Sequence, residues 1–299
     1  MSKPRQRFLI LSIVALVIVS ACFFGYILYR RHIKSNSSPV IMCASDVIRV
    51  SVTAPKEDLL VGVTAMDAED GDLTDKIVIE SISQFTEPGK CTITYAVFDS
   101  GNKVSTVSRT LYYTDYHPPR FILTSDLTYA SGTTLKLKDC IKAIDCIDGN
   151  ISNRISWTEV DADEVGSMDS KEVEFSVINS RGDAATFRAN IVVTERSSPN
   201  TPEIRLGLPD DGDSPYPYQY LIYVRRGEMI DPLDYVKTIR LSGTDYTAAE
   251  FRKAFGNGAI SADFDPAKDE LELGVNTIVI FCEYEGHIGS TTLYVIVEE

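Results

Sequence analysis

Histidine is scarce in this sequence, and its scarcity limits the chemistry that the chain can support. Only three histidines occur among 299 residues, whereas a structural zinc site needs about four ligands, mostly histidine and cysteine. The sequence also lacks a nucleophile elbow, a glycine-rich phosphate loop and the His-Glu-x-x-His motif of zinc proteases. We therefore expect a protein that is not an enzyme and that carries no cofactor, apart from a calcium site considered below.

Basic residues are also few beyond the N-terminus. Six of the 29 lysines and arginines precede residue 35, and the first acidic residue is Asp46. The remainder of the chain holds 23 basic and 43 acidic residues, a net charge of −20. A surface this negative repels nucleic acid phosphates and anionic lipid headgroups, so we expect no nucleic acid partner. The charge agrees with a well-solvated surface or with weak binding of several cations.

One long apolar segment is present, from Phe8 to Tyr29. This uncharged run of 22 residues is long enough to cross a hydrocarbon core of roughly 30 Å as a helix. It shows no amphipathic period, which argues against a buried helix of a soluble domain. The sequence favours an uncleaved anchor, so that residues 1–34 form a short cytoplasmic tail and a transmembrane helix.

Two alternatives to the uncleaved anchor stay open. A cleaved signal peptide suits the basic N-terminus, although its apolar region would be shorter and no clear Ala-x-Ala site follows. The segment Val19-Ser-Ala-Cys22 resembles a lipobox in which Cys22 is acylated, yet the apolar run continues to Tyr29. Three basic side chains lie on each side of the run, so the positive-inside rule does not decide orientation. The amino terminus, the cysteines and the repeats favour a single-pass cell-membrane protein with extracellular C-terminal domains.

The rest of the chain is organised by a repeated acidic phrase. Residues 65–74 read AMDAEDGDLT and residues 143–152 read AIDCIDGNIS, which align without a gap at an offset of 78 residues. A fixed period of this kind indicates tandem copies of one structural unit. Short alternating runs rich in β-branched residues, separated by turn clusters such as Asp99 to Asn102, predict β-strands around the phrase. Strands of this length favour β-sandwiches over a βαβ fold.

A third, divergent copy follows the first two. Residues 277–290 align without a gap with residues 92–105, but the segment Ser242 to Thr247 and a predicted short helix at 248–255 replace the acidic phrase. A polar linker and two proline-containing joints separate the parts of the chain, since proline stiffens itself and the preceding residue. The linker lies at 35–38, the joints at 117–119 and 197–202, and the domains at 39–115, 118–196 and 202–299.

Two blocks of the first copy resemble a known family. They read Ala65-x-Asp67-x-x-Asp70-Gly71-Asp72-Leu73-Thr74 and Pro88-Gly89-Lys-x-x-x-x-Tyr95-x-Val97-x-Asp99-x-Gly101-Asn102. In this order and spacing they are similar to bacterial immunoglobulin-like surface repeats, to hyalin-type repeats and to the Ig-like domains of pesticidal crystal proteins. The resemblance implies a seven-stranded sandwich that serves as a surface spacer or adhesion module, without catalysis. The expected fold is therefore all-β, with three tandem Ig-like β-sandwich domains after one N-terminal transmembrane helix.

The acidic phrase has two interpretations. As a turn, its Asp-Gly sequence suits a tight reversal, and its side chains bond backbone N–H groups left without partners. As a calcium site, Asp67, Asp70 and Asp72 would act with Asp99 of the facing hairpin, because calcium takes about six to eight oxygen ligands. Gly71 stands at the fifth position of the loop rather than the sixth, so this is not an EF-hand. The second copy has Asn179 where Asp99 stood, which restricts a calcium site to the first copy.

Five cysteines lie outside the membrane segment. A Cys43–Cys91 disulfide would close a loop of about 48 residues and stabilise the first domain by up to ~4 kcal/mol, and the alternative is two buried thiols. Cys140 and Cys146 bracket a bend that a local disulfide would also fit. Cys282 aligns with a core position of the first copy and is interpreted as a free core thiol. An odd number leaves at least one cysteine unpaired.

Two functions are compatible with these features. The first is a membrane-anchored extracellular structural or adhesive protein that presents tandem Ig-like domains to an unknown surface protein or glycan. The alternative is a cell-surface receptor, or a carbohydrate- or protein-binding module, with the third domain as the reader. Its motivation is the aromatic stretch from Tyr216 to Tyr223, since exposed tyrosines anchor partners. Alternating tyrosines in a strand, however, more often serve packing.

Overall fold

The computed structural model of the protein describes residues 3–34, 38–130, 136–160, 170–194, 198, 200–209 and 214–299. The chain divides into two compact units, Met1–Tyr116 and His117–Glu299. Most of the linker predicted at 35–38, the end of the second predicted domain at 195–196 and part of the joint at 197–202 lie outside the described residues.

Helix α1 spans Lys3–Lys34. Its central residues Leu11–Tyr29 are apolar on all sides, and none of them is buried against the rest of the chain. A helix of 19 residues rises about 28 Å, close to the thickness of the hydrocarbon core of a bilayer. The N-terminal helix is therefore long and apolar enough to cross a membrane.

Seven strands follow in the described part of the first unit. They are β1 (Val40–Cys43), β2 (Val47–Val50), β3 (Val63–Asp67), β4 (Gly71–Asp72), β5 (Val78–Ile82), β6 (Lys90–Phe98) and β7 (Val104–Tyr113). One antiparallel sheet has the order β1-β3-β4, and the other has the order β2-β7-β6-β5. Strand β2 runs parallel to β7, so the chain crosses from one sheet to the other between β1 and β2.

The alternation of side chains along these strands builds a core between the two sheets. Ile93, Tyr95 and Val97 from β6 are fully buried, and they pack in one cluster with Val63 and Ala65 from β3 of the other sheet. Apolar residues at every second position place one face of each strand inward, because successive side chains point to opposite faces. The first unit is thus a β-sandwich with the alternation that the sequence predicts.

The second unit contains two more copies of this arrangement. Strands of the first of them are β8 (Arg120–Leu123), β9 (Thr128–Ala130), β10 (Ile141–Asp145), β11 (Gly149–Asn150), β12 (Ser156–Val160), β13 (Ser170–Ile178) and β14 (Ala184–Thr194), with the one-turn helix α2 (Leu137–Cys140) before β10. The sheets have the orders β11-β10-β8 and β12-β13-β14-β9. Strand β9 is parallel to β14, as β2 is to β7.

The last copy repeats the order once more. Its strands are β15 (Glu203–Leu206), β16 (Leu221–Arg225), β17 (Val236–Leu241), β18 (Thr244–Tyr246), β19 (Ile260–Ala262), β20 (Gly274–Tyr284) and β21 (His287–Glu298). They form the sheets β15-β17-β18 and β16-β21-β20-β19, with β16 parallel to β21. Helix α3 (Ala248–Phe255) lies where the sequence predicts it and begins with a capping box between Thr247 and Glu250. The shared strand order confirms the all-β fold of tandem Ig-like sandwiches.

The two sandwiches of the second unit share one hydrophobic core. The ring of Phe187 meets the ring of Tyr294 edge-on, with 5.2 Å between centroids. The Phe121 N–H donates to Tyr223 Oη at 2.7 Å, and the Tyr220 N–H donates to the Leu123 carbonyl at 2.8 Å. The sequence does not predict this continuity, because a proline joint marks where a copy ends and not how closely the next one packs.

We predict that residues 117–299 unfold in one cooperative transition because of this shared core. Tyr223→Phe leaves the Phe121 N–H without its acceptor, so we expect the free energy of unfolding to fall by about 1–3 kcal/mol. Calorimetry of the 117–299 fragment tests this through the agreement of calorimetric and van't Hoff enthalpies. Two separate transitions, of which Tyr223→Phe moves only one, would contradict it.

Candidate functional site

The first acid of each acidic phrase closes the turn at the end of a central strand. Asp67 ends β3, and its Oδ1 accepts hydrogen bonds from the N–H groups of Glu69 at 2.8 Å and Asp70 at 3.0 Å. In the second copy Asp145 Oδ1 accepts from the N–H groups of residues 147 and 148 at 2.9 and 2.8 Å. Both carboxylates are buried, 7% and 2% exposed. Each therefore satisfies two backbone donors that the end of the strand leaves unpaired.

The second acid that both copies share, Asp70 or Asp148, reaches the hairpin of the opposite sheet. Asp70 accepts from the N–H of Ser100 at 2.6 Å and from its hydroxyl at 2.9 Å. Asp148 accepts from the N–H and the hydroxyl of Ser180, both at 2.6 Å. Burial alone would raise the pKa of Asp148, but the hydrogen bonds from Ser180 and the ion pair with Arg154 outweigh it and lower that pKa. This acid joins the two sheets of its sandwich.

Asp72 and Asn150 occupy the same position of the phrase in the two copies, and both form the same hydrogen bond although only Asp72 is charged. Asp72 Oδ1 accepts from the Thr74 N–H at 2.9 Å, and Asn150 Oδ1 accepts from the Ser152 N–H at 3.0 Å. The preceding glycine has a φ of +72° in the first copy and +68° in the second, a backbone conformation that favours glycine. Because an amide serves as well as a carboxylate here, the position makes a turn and does not require an anion.

The two copies differ at the side chain that faces the first acid. In the second copy Asn179 Nδ2 donates to Asp145 Oδ2 at 3.0 Å. In the first copy Asp99 stands at the aligned position and uses its Oδ1 to accept from the Lys103 N–H at 2.7 Å. The buried Oδ2 of Asp67 has no hydrogen-bond partner among the described residues. The Oδ2 atom of the first acid thus accepts a hydrogen bond in the second copy but not in the first.

The calcium site predicted from four carboxylates stays a prediction, and each of the four accepts a hydrogen bond from the chain itself. Asp67 and Asp70 cap one turn and one hairpin, while Asp72 and Asp99 each accept from a nearby backbone N–H. Over the described residues, no group of three or more histidine, cysteine, aspartate or glutamate side chains is placed to hold a metal ion. In this structure the acidic phrase is made of turn caps and of a clasp between sheets.

The cysteines are all thiols in this structure. Cys43 on β1 and Cys91 on β6 contact the same core from opposite sheets, and burial raises the pKa of the Cys43 thiol. Cys140 and Cys146 donate to backbone carbonyl groups. The disulfides Cys43–Cys91 and Cys140–Cys146 stay predictions. Cys282 is fully buried, and burial raises its pKa to about 12.

The aromatic stretch proposed as a reader is largely a packing element. Tyr220 is 5% exposed, and burial raises the pKa of Tyr223 to about 12. Both residues form hydrogen bonds between the two sandwiches of the second unit, and Tyr218 packs against the shared core. The packing interpretation of this stretch thus describes Tyr220 and Tyr223, which lie at the contact between the two copies.

None of the predictions from the sequence places a charged residue inside the first sandwich. Arg109 on β7 is 5% exposed and bonds Tyr95 Oη inside the first sandwich. The aligned positions of the second copy hold Ala189 and Phe175. A comparison of the two copies therefore indicates that a polar pair replaces an apolar pair at these core positions. An isolated arginine in a strand gives no such signal by itself, since most arginines are exposed.

No family model matches the chain, and no curated protein matches it. Among solved structures, a chain of Clostridium perfringens ZmpB with CBM51-2 in complex with GlcNAc and with INT domains is 23% identical, with a TM-score of 0.22, over 50% of this chain and 26% of that chain. The Protocadherin GammaB4 extracellular domain is 10% identical, with a TM-score of 0.19, over 88% of this chain and 50% of that chain. The present chain thus spans about a quarter of the length of the ZmpB chain and about half of the length of the protocadherin chain. Likeness at these TM-scores does not define a family.

We predict that the buried acid matters far more to stability than its exposed neighbour in the same turn. Asp145→Ala removes the acceptor of two backbone N–H groups and of Asn179, so the free energy of unfolding should fall by about 2–4 kcal/mol. Asn150→Ala is the matched control and should cost about 1 kcal/mol. Urea unfolding measures both. Equal losses of unfolding free energy in the two variants would contradict the role of Asp145 as the cap of the two backbone N–H groups.

Asp126 gives the second unit a predictable response to pH. Its Oδ2 accepts from the Thr291 hydroxyl at 2.8 Å, and burial raises its pKa although its hydrogen bonds oppose the rise. A raised carboxyl pKa means that the folded state binds the proton more tightly than the unfolded state. This contribution to stability is therefore present at low pH and lost as the pH rises through the folded pKa.

We accordingly expect Asp126→Asn, which mimics the protonated acid, to raise the stability of the second unit near neutral pH. The gain should shrink as the pH falls towards the ordinary aspartate pKa of about 3.9. Thermal unfolding over this range, with Asp139→Asn as an exposed control, measures the effect. A gain that is the same at every pH would contradict the assignment to Asp126.

Proposed function

We propose that this chain is a non-catalytic protein, anchored in the cell membrane by α1, that holds Ig-like sandwiches outside the cell as a structural or adhesive element. The order of its parts carries the proposal: one helix long enough to span a bilayer precedes three copies of one sandwich topology. A sandwich buries its apolar faces within itself and leaves its turns and edges for contact. A chain of such modules on one anchor suits a spacer or an adhesive stalk.

The shape of α1 supports an uncut anchor. The helix runs without interruption from Lys3 to Lys34, and Cys22 lies within it with seven further residues before the apolar segment ends at Tyr29. Cleavage at a lipobox would remove most of this segment. An uncut helix keeps a length that matches the bilayer core.

The construction of the second unit supports a structural role. Its two sandwiches are joined by a continuous core and by backbone hydrogen bonds, which resist bending better than a flexible linker does. The ion pair between Arg120 and Glu298 adds a further link between them. The receptor alternative relied on exposed tyrosines, and those residues are used for this packing.

The orientation of the chain can be tested by labelling introduced cysteines in right-side-out membrane vesicles. Lys56→Cys, in an exposed loop of the first sandwich, should react with a membrane-impermeant maleimide. Ser2→Cys should react only after the membrane is permeabilised. The unsubstituted chain supplies the background from its own cysteines.

The reverse labelling pattern would contradict the proposed orientation. The mass of the mature chain provides the second criterion. A chain that lacks residues 1–21 and carries lipid at Cys22 would contradict the uncut anchor.

A further inference from the structure

A guanidinium group lies inside the first sandwich without a charged partner. Arg109 Nε donates to Tyr95 Oη at 2.9 Å, and its Nη2 donates to the carbonyl groups of Leu59 at 3.0 Å and Val61 at 2.9 Å. All three acceptors are uncharged. In the part of the chain that the structure describes, no carboxylate forms an ion pair with Arg109.

The remaining nitrogen of this group lies beside a groove. Nη1 takes part in none of these hydrogen bonds and is 4.0 Å from the Cβ position of Gly62, which lines the groove with Arg109 itself. The groove has a volume of about 670 Å³ and lies between the crossing from β1 to β2 and the loop that precedes β3. Its other charged lining residues are Arg49 and Asp58. The guanidinium group of Arg49 lies over the Tyr112 ring, 5.3 Å from its centroid, so Arg109 supplies the buried positive charge at the groove in a chain whose net charge is −14.

The second copy shows that the fold does not require this cation. Phe175 and Ala189 occupy the positions of Tyr95 and Arg109 at an offset of 80 residues, and they are 0% and 3% exposed. The same strands pair in the same register around them. A buried guanidinium without a counter-charge is costly, whereas the apolar pair is not. The pairing of these strands therefore does not by itself require the charge.

We propose that this groove binds a small carboxylate, with Arg109 Nη1 as the donor. Guanidinium groups form their strongest hydrogen bonds with carboxylates. Because Nε and Nη2 are already used, one carboxylate oxygen accepts from Nη1, and a two-pronged contact is not expected. The groove falls within the usual size of small-molecule sites, about 300–1,000 Å³. The ligand class is an acidic sugar or an N-blocked amino acid, which share the carboxylate.

This inference goes beyond the proposed function and depends on it only for the side of the membrane on which the ligand is met. Binding is measured with the full chain in detergent micelles, so the result does not depend on orientation. The probes are D-glucuronate and N-acetyl-L-valine, each compared with its neutral amide by titration calorimetry. We expect at least one acid to bind with a Kd on the order of 1 mM. Its neutral amide should bind at least about tenfold more weakly.

Two variants assign the binding to the groove. Ala54→Trp fills the groove at a lining residue while the chain keeps Arg109, and it should weaken binding about tenfold. Ala68→Trp, on an exposed turn outside the groove lining, should leave binding unchanged and serves as the control. Arg109→Lys should also weaken binding, and its melting temperature shows whether it still folds.

Binding of only one acid supports the proposal and identifies the source of the carboxylate as sugar or amino acid. Equal affinity for acid and amide would overturn it, since the charge would then play no part. Retained binding in a folded Ala54→Trp chain, or no saturable binding of either acid, would also overturn it.

Discussion

The sandwiches of this protein depend on satisfying the backbone at the point where a central strand leaves its sheet. A buried N–H without an acceptor costs free energy comparable to a lost hydrogen bond. In the first two copies a buried aspartate, Asp67 or Asp145, accepts from two such groups. In the third copy a two-residue turn at Ser242 and Gly243 follows the central strand β17, and a capped helix then inserts Phe251 into the core.

The next acid in the phrase extends this local cap across the sandwich. Asp70 and Asp148 each bind a serine at the tip of the opposite hairpin. A single short sequence therefore ends one strand, reverses the chain and fixes the distance between the two sheets. This explains why the phrase repeats with the fold and why the change of Asp72 to Asn150 is tolerated.

Much of the architecture could be predicted from the sequence because local rules dominate it. Alternation in β6, the acidic turns and the capped helix at 248–255 all depend on neighbouring residues, and each is present. The shared core of the second unit could not be predicted, since it depends on contacts such as Phe187 with Tyr294 between distant segments. For the same reason the sequence left two interpretations of the tyrosines near residue 220 open. Composition cannot tell an exposed aromatic strand from one that a neighbouring module covers.

The three copies share a topology and differ in what they bury. The first holds Arg109 and an unsatisfied oxygen of Asp67, while the second places Ala189 and an Asp145–Asn179 hydrogen bond at the corresponding points. The two sandwiches of the second unit, in contrast, share one continuous apolar core.

The central claim is that the acidic phrase clasps the two sheets of a sandwich rather than holding a cation. A double-mutant cycle between Asp70→Ala and Ser100→Ala in the first copy, measured by urea unfolding with chelator and with millimolar calcium, tests it most directly. The account predicts a coupling free energy of about 1–3 kcal/mol that is the same in both conditions. A coupling near zero, or one that appears only with calcium, would contradict it.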